Sequence, residues 1–408
     1  MTARRPRILY VVSHGPFGPS YGARLRTLHV GRALARVGAV SLVSAPLWPW
    51  TREEREATSR EFPLVATITP VQVGVGGIMG RLRRELDPSA LNTHGFETSG
   101  EDRATLARLI DAHDMVWVHT IRTANALGIE RWPRSALDID DLPSQYHASE
   151  GAGGGRWIAR RRARQWRRRE RRLLDRFDRL LVCSEADRDR LGNGPRVRVA
   201  PNGFARCAVA DRPPATPPRL GFIGTLEYAP NRAGVRWFIE EVWPLVRGSA
   251  PDATLRIVGK KPDSFGVACA GVAWLGYVGD AAEEIASWTA MVVPVRAGGG
   301  TRVKIAEAFS RRCPVVSTPL GAFGYDVQDG RELLLASTAD QMARACVRLI
   351  ENPALGEELT TRAHALFERR YTWDATARVV ADVVAELTGA EAHPDAHENL
   401  AAGAPCSI

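Results

Sequence analysis

Three consecutive glycines, Gly298, Gly299 and Gly300, lead through Thr301 into a stretch that carries Arg302, Lys304 and Glu307. Glycines let a backbone approach a ligand closely. A helix beginning near Arg302 presents its first N–H groups and the positive end of its dipole to whatever lies in front of it. Arg302 and Lys304 add positive charge at that end, and Glu307 lies about one and a half turns in, facing back to the same region. The set suits a nucleoside diphosphate, with the phosphates on the helix start and ribose hydroxyls on Glu307. Lysine usage sharpens the reading, because the only lysines are Lys260, Lys261 and Lys304, against 52 arginines. The competing reading makes Lys304 and Glu307 an exposed i,i+3 surface pair.

Fewer signals stand in the first half. His119 ends the apolar run MVWVH (115–119), where its ring can meet a hydroxyl or serve as an ordinary structural histidine. Asp138, Asp140 and Asp141 follow another strand-like run. Alternate residues of a strand point to opposite faces, so this DID is a poor metal chelate. Asp140 or Asp141 either orients an acceptor or caps the next helix. The loop SHGPFGPSYGARLRTLHV (13–30) is rich in glycine and proline and runs into a helix. Six cysteines form no CxxC pair and no zinc-ligand spacing, which suits free thiols in a reducing compartment.

The elements that must position these residues alternate along the chain. ILYVVS (8–13), VSLVSA (40–45), MVWVH, SALDID (135–140), RLLVCS (179–184) and VRVAP (197–201) read as strands, with helices between them. A proline-rich linker, 206–218, interrupts the pattern. The alternation then restarts with strands at 219–224, 253–259, 272–278, 291–295, 313–318 and 332–336, and helices at 231–246, 283–289, 303–311, 338–352, 355–369 and 373–388. Such alternation predicts parallel sheets covered on both faces. The class is α/β: two doubly wound Rossmann-like domains, 1–205 and 219–371, facing across a cleft, with ligands at the carboxyl ends of the strands. The helix at 372–388 is expected to pack back on the first domain, and residues 389–408 to be disordered.

At 408 residues two domains are the natural expectation. The net charge of +9 suggests a nucleic-acid binder until its location is considered. Residues 156–172 hold ten arginines and one glutamate, so the rest of the chain sums to zero. The basicity is one local segment with Trp157 and Trp166 interleaved, and no nucleic-acid partner is expected. The segment reads as a solvated helix with Glu170, Leu173, Leu174 and Phe177 facing inward, and contact with an anionic membrane stays open. The glycine run 151–155 before it suggests a mobile loop. The amino-terminal apolar run is too short for a signal peptide, and no stretch approaches the roughly 20 apolar residues of a membrane span. The expected location is cytoplasmic, with peripheral contact on the inner face of the membrane left open.

The run GGGTRVKIAEAFSRRCPVVSTPLGAFG (298–324) resembles the donor-site signature of family 4 glycosyltransferases, which are retaining enzymes of the GT-B fold. GFIGTLEYAPN (221–231), LRIVGKKP (255–262), WLGYVGD (274–280) and YTWD (371–374) follow in matching order, and LLVCSEADRDRL (180–191) with VAPNGF (199–204) resembles the end of the family's first domain. The resemblance spans roughly residues 7 to 388. It implies a donor site of Gly224, Asn231, Gly298, Gly299, Gly300, Thr301, Arg302, Lys304 and Glu307. It also implies an acceptor side with Gly22, Arg26 and Asp141, and His119 near the sugar. Where the family has two glutamates with seven residues between, this chain has Gly299 and Glu307, and the family's Arg and Lys after the first strand of the second domain fall on Thr225 and Asn231. Arg302 and Lys304 are therefore expected to take over neutralisation of the diphosphate, and with His119 they form the catalytic set.

The activity so implied moves a sugar from a nucleoside diphosphate sugar to an acceptor hydroxyl with retention, without metal or cofactor. The acceptor is a small molecule, a glycan or a lipid-linked sugar. Two rivals stand beside it: a sugar-nucleotide epimerase of the same fold, and a non-enzymatic protein binding membrane or nucleic acid through 156–172.

Overall fold

The apolar runs are buried on both faces. Residues Ile8 to Val12, all of Met115–His119 and all of Ala290–Val293 are shielded from solvent. Strands with no wet face belong inside a parallel sheet between helix layers. The computed structural model describes residues 4–18, 22–72, 77, 79–80, 87, 95–150, 156–207, 216–261, 265–266 and 269–390. The centre of the expected linker, the glycine run 151–155 and the expected disordered tail from 391 onward lie outside the described residues.

The chain divides into two compact units, one comprising Met1–Pro201 and the chain from Asp374, the other Asn202–Trp373. The first unit is built on a parallel sheet of β1 (Arg7–Val12), β2 (Ala39–Ser44), β3 (Leu64–Thr67), β6 (Met115–His119), β7 (Ser135–Asp138), β8 (Arg179–Val182) and β9 (Val197–Val199). Their order is β3-β2-β1-β6-β7-β8-β9. A short antiparallel pair, β4 (Val71–Gln72) with β5 (Phe96–Glu97), stands apart. Side chains alternate between two cores. Leu9, Val11, Val116 and Val118 face one helix layer, and Ile8, Tyr10, Val12 and Trp117 face the other. The last helix, Trp373–Thr388, sends Ala377, Val380, Val383 and Val384 into that second core.

The second unit contains β10 (Arg219–Ile223), β11 (Thr254–Val258), β12 (Val272–Gly276), β13 (Ala290–Val293), β14 (Val315–Ser317) and β15 (Leu334–Leu335), all parallel, in the order β12-β11-β10-β13-β14-β15. Counted within the unit this is the 3-2-1-4-5-6 order of a dinucleotide-binding sheet. The direction of winding reverses between β10 and β13, and a crevice opens there at the carboxyl ends of the strands.

The helix expected at 231–246 is interrupted. It runs Ala229–Trp237, loosens into one wide turn at Phe238–Val242, and resumes at Trp243–Ser249. Pro244 has no N–H to return to the preceding turn, so the ladder gives way just before it.

Candidate functional site

The crevice of the second unit is lined from two sides. Chain leaving β10 supplies Gly224 and then Asn231, the third residue of its helix. Chain leaving β13 supplies the glycine loop and the helix Val303–Ser310. Lys304 reaches across, buried, and donates from Nζ to Asn231 Oδ1 at 3.2 Å. Asn231 Nδ2 donates in turn to the Thr225 carbonyl at 2.9 Å. The ammonium lies 3.9 Å from the centre of the Phe222 ring, a cation–π contact. Gly224 adopts φ +140°, and a Cβ there would stand 2.9 Å from both Lys304 Nζ and Asn231 Nδ2. A side chain at this position would occupy the space the lysine uses.

Lys304 makes no ion pair among the described residues. Burial pushes its ammonium down to about 7, and neighbouring Arg302 pushes the same way, while Glu307 opposes them. Glu307 is fully buried, and its Oε1 accepts from Arg311 Nε at 3.2 Å. Its other oxygen, Oε2, has no partner. Burial pushes this carboxyl up to about 7 against the pull of Arg311 and Lys304. The reading of Lys304 and Glu307 as an exposed surface pair is therefore corrected. Both are buried, and the glutamate pairs one turn onward with Arg311.

Arg302 also departs from a simple phosphate ligand. It stands as N-cap of the helix without a side-chain capping bond, and its guanidinium folds back onto the loop. Nη1 donates to the carbonyls of Gly299 and Gly300, and the Tyr325 hydroxyl donates to the Arg302 carbonyl at 2.9 Å. The arginine thus fixes the glycine loop, whose Gly298 and Gly300 sit at φ +115° and +70°, conformations that glycine adopts without strain. Thr301 Oγ1 accepts from Asn202 Nδ2 at 3.0 Å. Thr51, Ser99 and Thr338 cap their helices with side-chain hydrogen bonds. The start of Val303–Ser310 has none; Ile305 N–H bonds the Arg302 carbonyl at 2.9 Å, and the N–H groups before it face an acceptor other than a cap side chain.

Phe222, Tyr325, Arg311 and Asn202 were not singled out by sequence reasoning. Phe222 is one of several apolar residues in its strand, Arg311 is one of many arginines although it lies one turn from Glu307, and Tyr325 and Asn202 act over long sequence separations.

The first unit gathers polar groups where β1 and β6 diverge. His119 ends β6, fully buried. Thr27 Oγ1 donates to the Ala23 carbonyl at 2.9 Å and lies 3.1 Å from His119 Nδ1. With the hydroxyl proton so engaged, Nδ1 carries the imidazole proton and Nε2 is left as an acceptor with no partner. Burial lowers the His119 pKa, so the ring is neutral, and the adjacent His14 is pushed down to about 4 mainly by burial. Thr123 Oγ1 donates to Ser13 Oγ at 2.8 Å beneath them. Thr120, next along the chain, holds φ 74°, a conformation non-glycine residues rarely adopt.

The acceptor-side residues do not gather. Gly22 is the first residue of the helix Gly22–Val37, and Asp141 lies exposed beyond β7. Arg26 is turned into the core with no exposed surface. Its Nε donates to Asp138 at 3.0 Å, Nη2 reaches the same carboxylate at 2.5 Å, and Nη1 donates to the Ala200 carbonyl at 3.0 Å. Burial works against the Arg26 charge, but Asp138 more than offsets it and the guanidinium holds its proton more tightly than usual. The expectation that Arg26 meets an acceptor is corrected: it is an internal brace, and Asp138 is its partner.

In the Arg-rich segment, Glu170, Leu173 and Phe177 are buried and Leu174 packs against the core, the inward face expected of a solvated helix. Among the described residues, Cys183, Cys207, Cys269, Cys313 and Cys346 form no disulfide.

Residues 217–352, most of the second unit, match the family model for glycosyl transferases group 1. A Klebsiella pneumoniae protein described as an uncharacterized 44.6 kDa protein in cps region is 24% identical over 162 residues, 37% of this chain. The match spans 42% of that relative's length. Among solved structures, sucrose-phosphate synthase from Thermosynechococcus elongatus superposes with a TM-score of 0.66 at 16% identity, covering 95% of this chain and all of that one. The Anabaena protein HepE, in complex with UDP and glucose, gives 0.62 at 15% identity, covering 93% of this chain and all of that one. The fold is GT-B, shared with these solved structures, and within it residues 217–352 are similar to group 1 glycosyl transferases. Among the described residues no helix is long and apolar enough to cross a membrane.

Proposed function

We propose that this chain transfers a sugar from a nucleoside diphosphate sugar to an acceptor hydroxyl, binding the donor in the crevice of its second unit. The observation that carries the reading is Lys304, a buried ammonium held by an amide and an aromatic face, with no ion pair among the described residues because nearby Glu307 pairs with Arg311. A buried charge without a counter-charge is costly. A diphosphate supplies the missing negative charge, and the uncapped helix start adds N–H donors to it. Glu307 Oε2 is the free acceptor for a ribose hydroxyl, and Arg302 holds the glycine loop against the phosphates. The solved complex of HepE with UDP and glucose supports this kind of donor.

In the reaction, negative charge develops on the departing diphosphate. Lys304 and the helix N–H groups, already in place, stabilise it as it forms. His119, neutral and with Nε2 unpartnered, is an acceptor for a hydroxyl bound at the first unit. Retention of configuration and independence from metal are part of the proposal and rest on the likeness of residues 298–324 to retaining enzymes.

Thermal-shift measurement against nucleoside diphosphates and their sugars tests the donor reading. At a hundredfold excess over the dissociation constant, one of them should stabilise the fold by about 2.7 kcal/mol. Incubation of that donor with candidate acceptors in chelator, followed by NMR of the new linkage, reads stereochemistry and metal dependence together. No shift with any nucleotide would sink the assignment.

A further inference from the structure

The helix Arg156–Arg171 has two faces with nothing in common. Ala159 and Glu170 are buried, and Trp166 packs against the core of the first unit. Glu170 accepts from the Ser144 backbone N–H at 2.7 Å, and Arg169 lies over Trp166 and donates to the Asp87 carbonyl at 2.9 Å. These contacts seat the helix in one rotation.

That rotation turns the other face outward. Arg161, Arg164, Arg168 and Arg171 follow at steps of three and four, so they form one stripe. All four are exposed. Trp157, four residues before Arg161, heads the same stripe and is 70% exposed, with Ile158 beside it 54% exposed. The Arg161 guanidinium lies over the Trp157 ring at 5.5 Å. An indole and an isoleucine left in water at one end of an arginine stripe have no role in holding the fold.

We propose that this stripe docks the first unit on an anionic phospholipid surface, with Trp157 and Ile158 entering the headgroup boundary and the arginines lying on the phosphates. Tryptophan beside basic residues is the composition of helices that lie in a membrane interface. Charge complementarity favours a lipid surface over a neutral partner, and the two apolar residues favour it over a purely polyanionic one such as RNA. The proposal goes beyond sugar transfer and stands or falls without it.

Full-length protein is sedimented with vesicles of phosphatidylcholine alone or mixed with phosphatidylglycerol. Binding to the anionic vesicles, weakened by salt, is expected, with little to the neutral ones. Each arginine near such a surface contributes roughly fivefold. The Arg161→Gln, Arg164→Gln, Arg168→Gln, Arg171→Gln variant should therefore lose on the order of a hundredfold or more. Trp157→Phe should bind nearly as well but lose the part of tryptophan quenching by brominated lipid that comes from residue 157. Should the fourfold variant not fold, Arg164→Gln with Arg168→Gln replaces it, with a loss of roughly 25-fold. Equal binding to both vesicle types, unchanged binding in the folded arginine variant, or RNA binding with no vesicle binding would each overturn the proposal.

Discussion

Each unit buries a cation near the carboxyl ends of its strands, and the two cations are provided for in opposite ways. Arg26 meets Asp138 through two nitrogens and a backbone carbonyl through a third. Lys304 meets an amide oxygen and an aromatic ring. The first arrangement is closed, because the charge has its partner within the fold. The second is open, with no ion pair among the described residues, and the proposed diphosphate would supply the missing charge. The comparison separates a structural charge from a binding charge more cleanly than residue type does, and it reverses the sequence expectation for Arg26 while sharpening the one for Lys304.

The comparison breaks most visibly if the closed pair is opened. Arg26→Ala leaves Asp138 buried without a counter-charge, which costs about 3–5 kcal/mol. Calorimetry should show the first unit melting earlier by roughly 10 °C. A midpoint within a degree of wild type would return Arg26 to the acceptor side. Lys304→Met is the matching test of the open site. It removes an uncompensated charge at similar volume, so ligand-free stability should stay within about 1 kcal/mol of wild type or rise, while turnover falls on the order of a hundred- to a thousandfold. Glu307→Gln should have the smaller effect. It weakens a nucleoside diphosphate roughly tenfold, the cost of one charge-assisted hydrogen bond, and leaves inorganic diphosphate unchanged. Equal losses for both ligands would place the ribose elsewhere.

Much of this was legible in the sequence. The strand MVWVH was read to the residue, because a five-residue apolar run between polar flanks admits few alternatives. SALDID was read two residues too long, since Asp138 closes β7 to hold Arg26. Leu64–Thr67 went unread because it is a half-exposed edge strand with no buried run. Lys304 stood out because lysine is rare in this chain. The Arg26–Asp138 pair had no local signal, its members being 112 residues apart. Nor did the sequence show Arg302 turning back on its own loop, a matter of side-chain direction and not of spacing.

The central claim is that Lys304 waits for an anion, and proton counting tests it most directly. Its ammonium is held down to about 7, below its unfolded value, so above that pH the empty site is largely neutral. A bound diphosphate raises the value again, so binding above pH 7 takes up a proton and weakens as pH rises. At pH 8 Glu307, pushed up to about 7, is already mostly ionised and contributes little. Titration calorimetry of a nucleoside diphosphate at pH 8, in two buffers of different ionisation enthalpy, should report uptake of roughly one proton per site, and Lys304→Met should abolish it. Binding of normal affinity with no proton taken up would contradict the account.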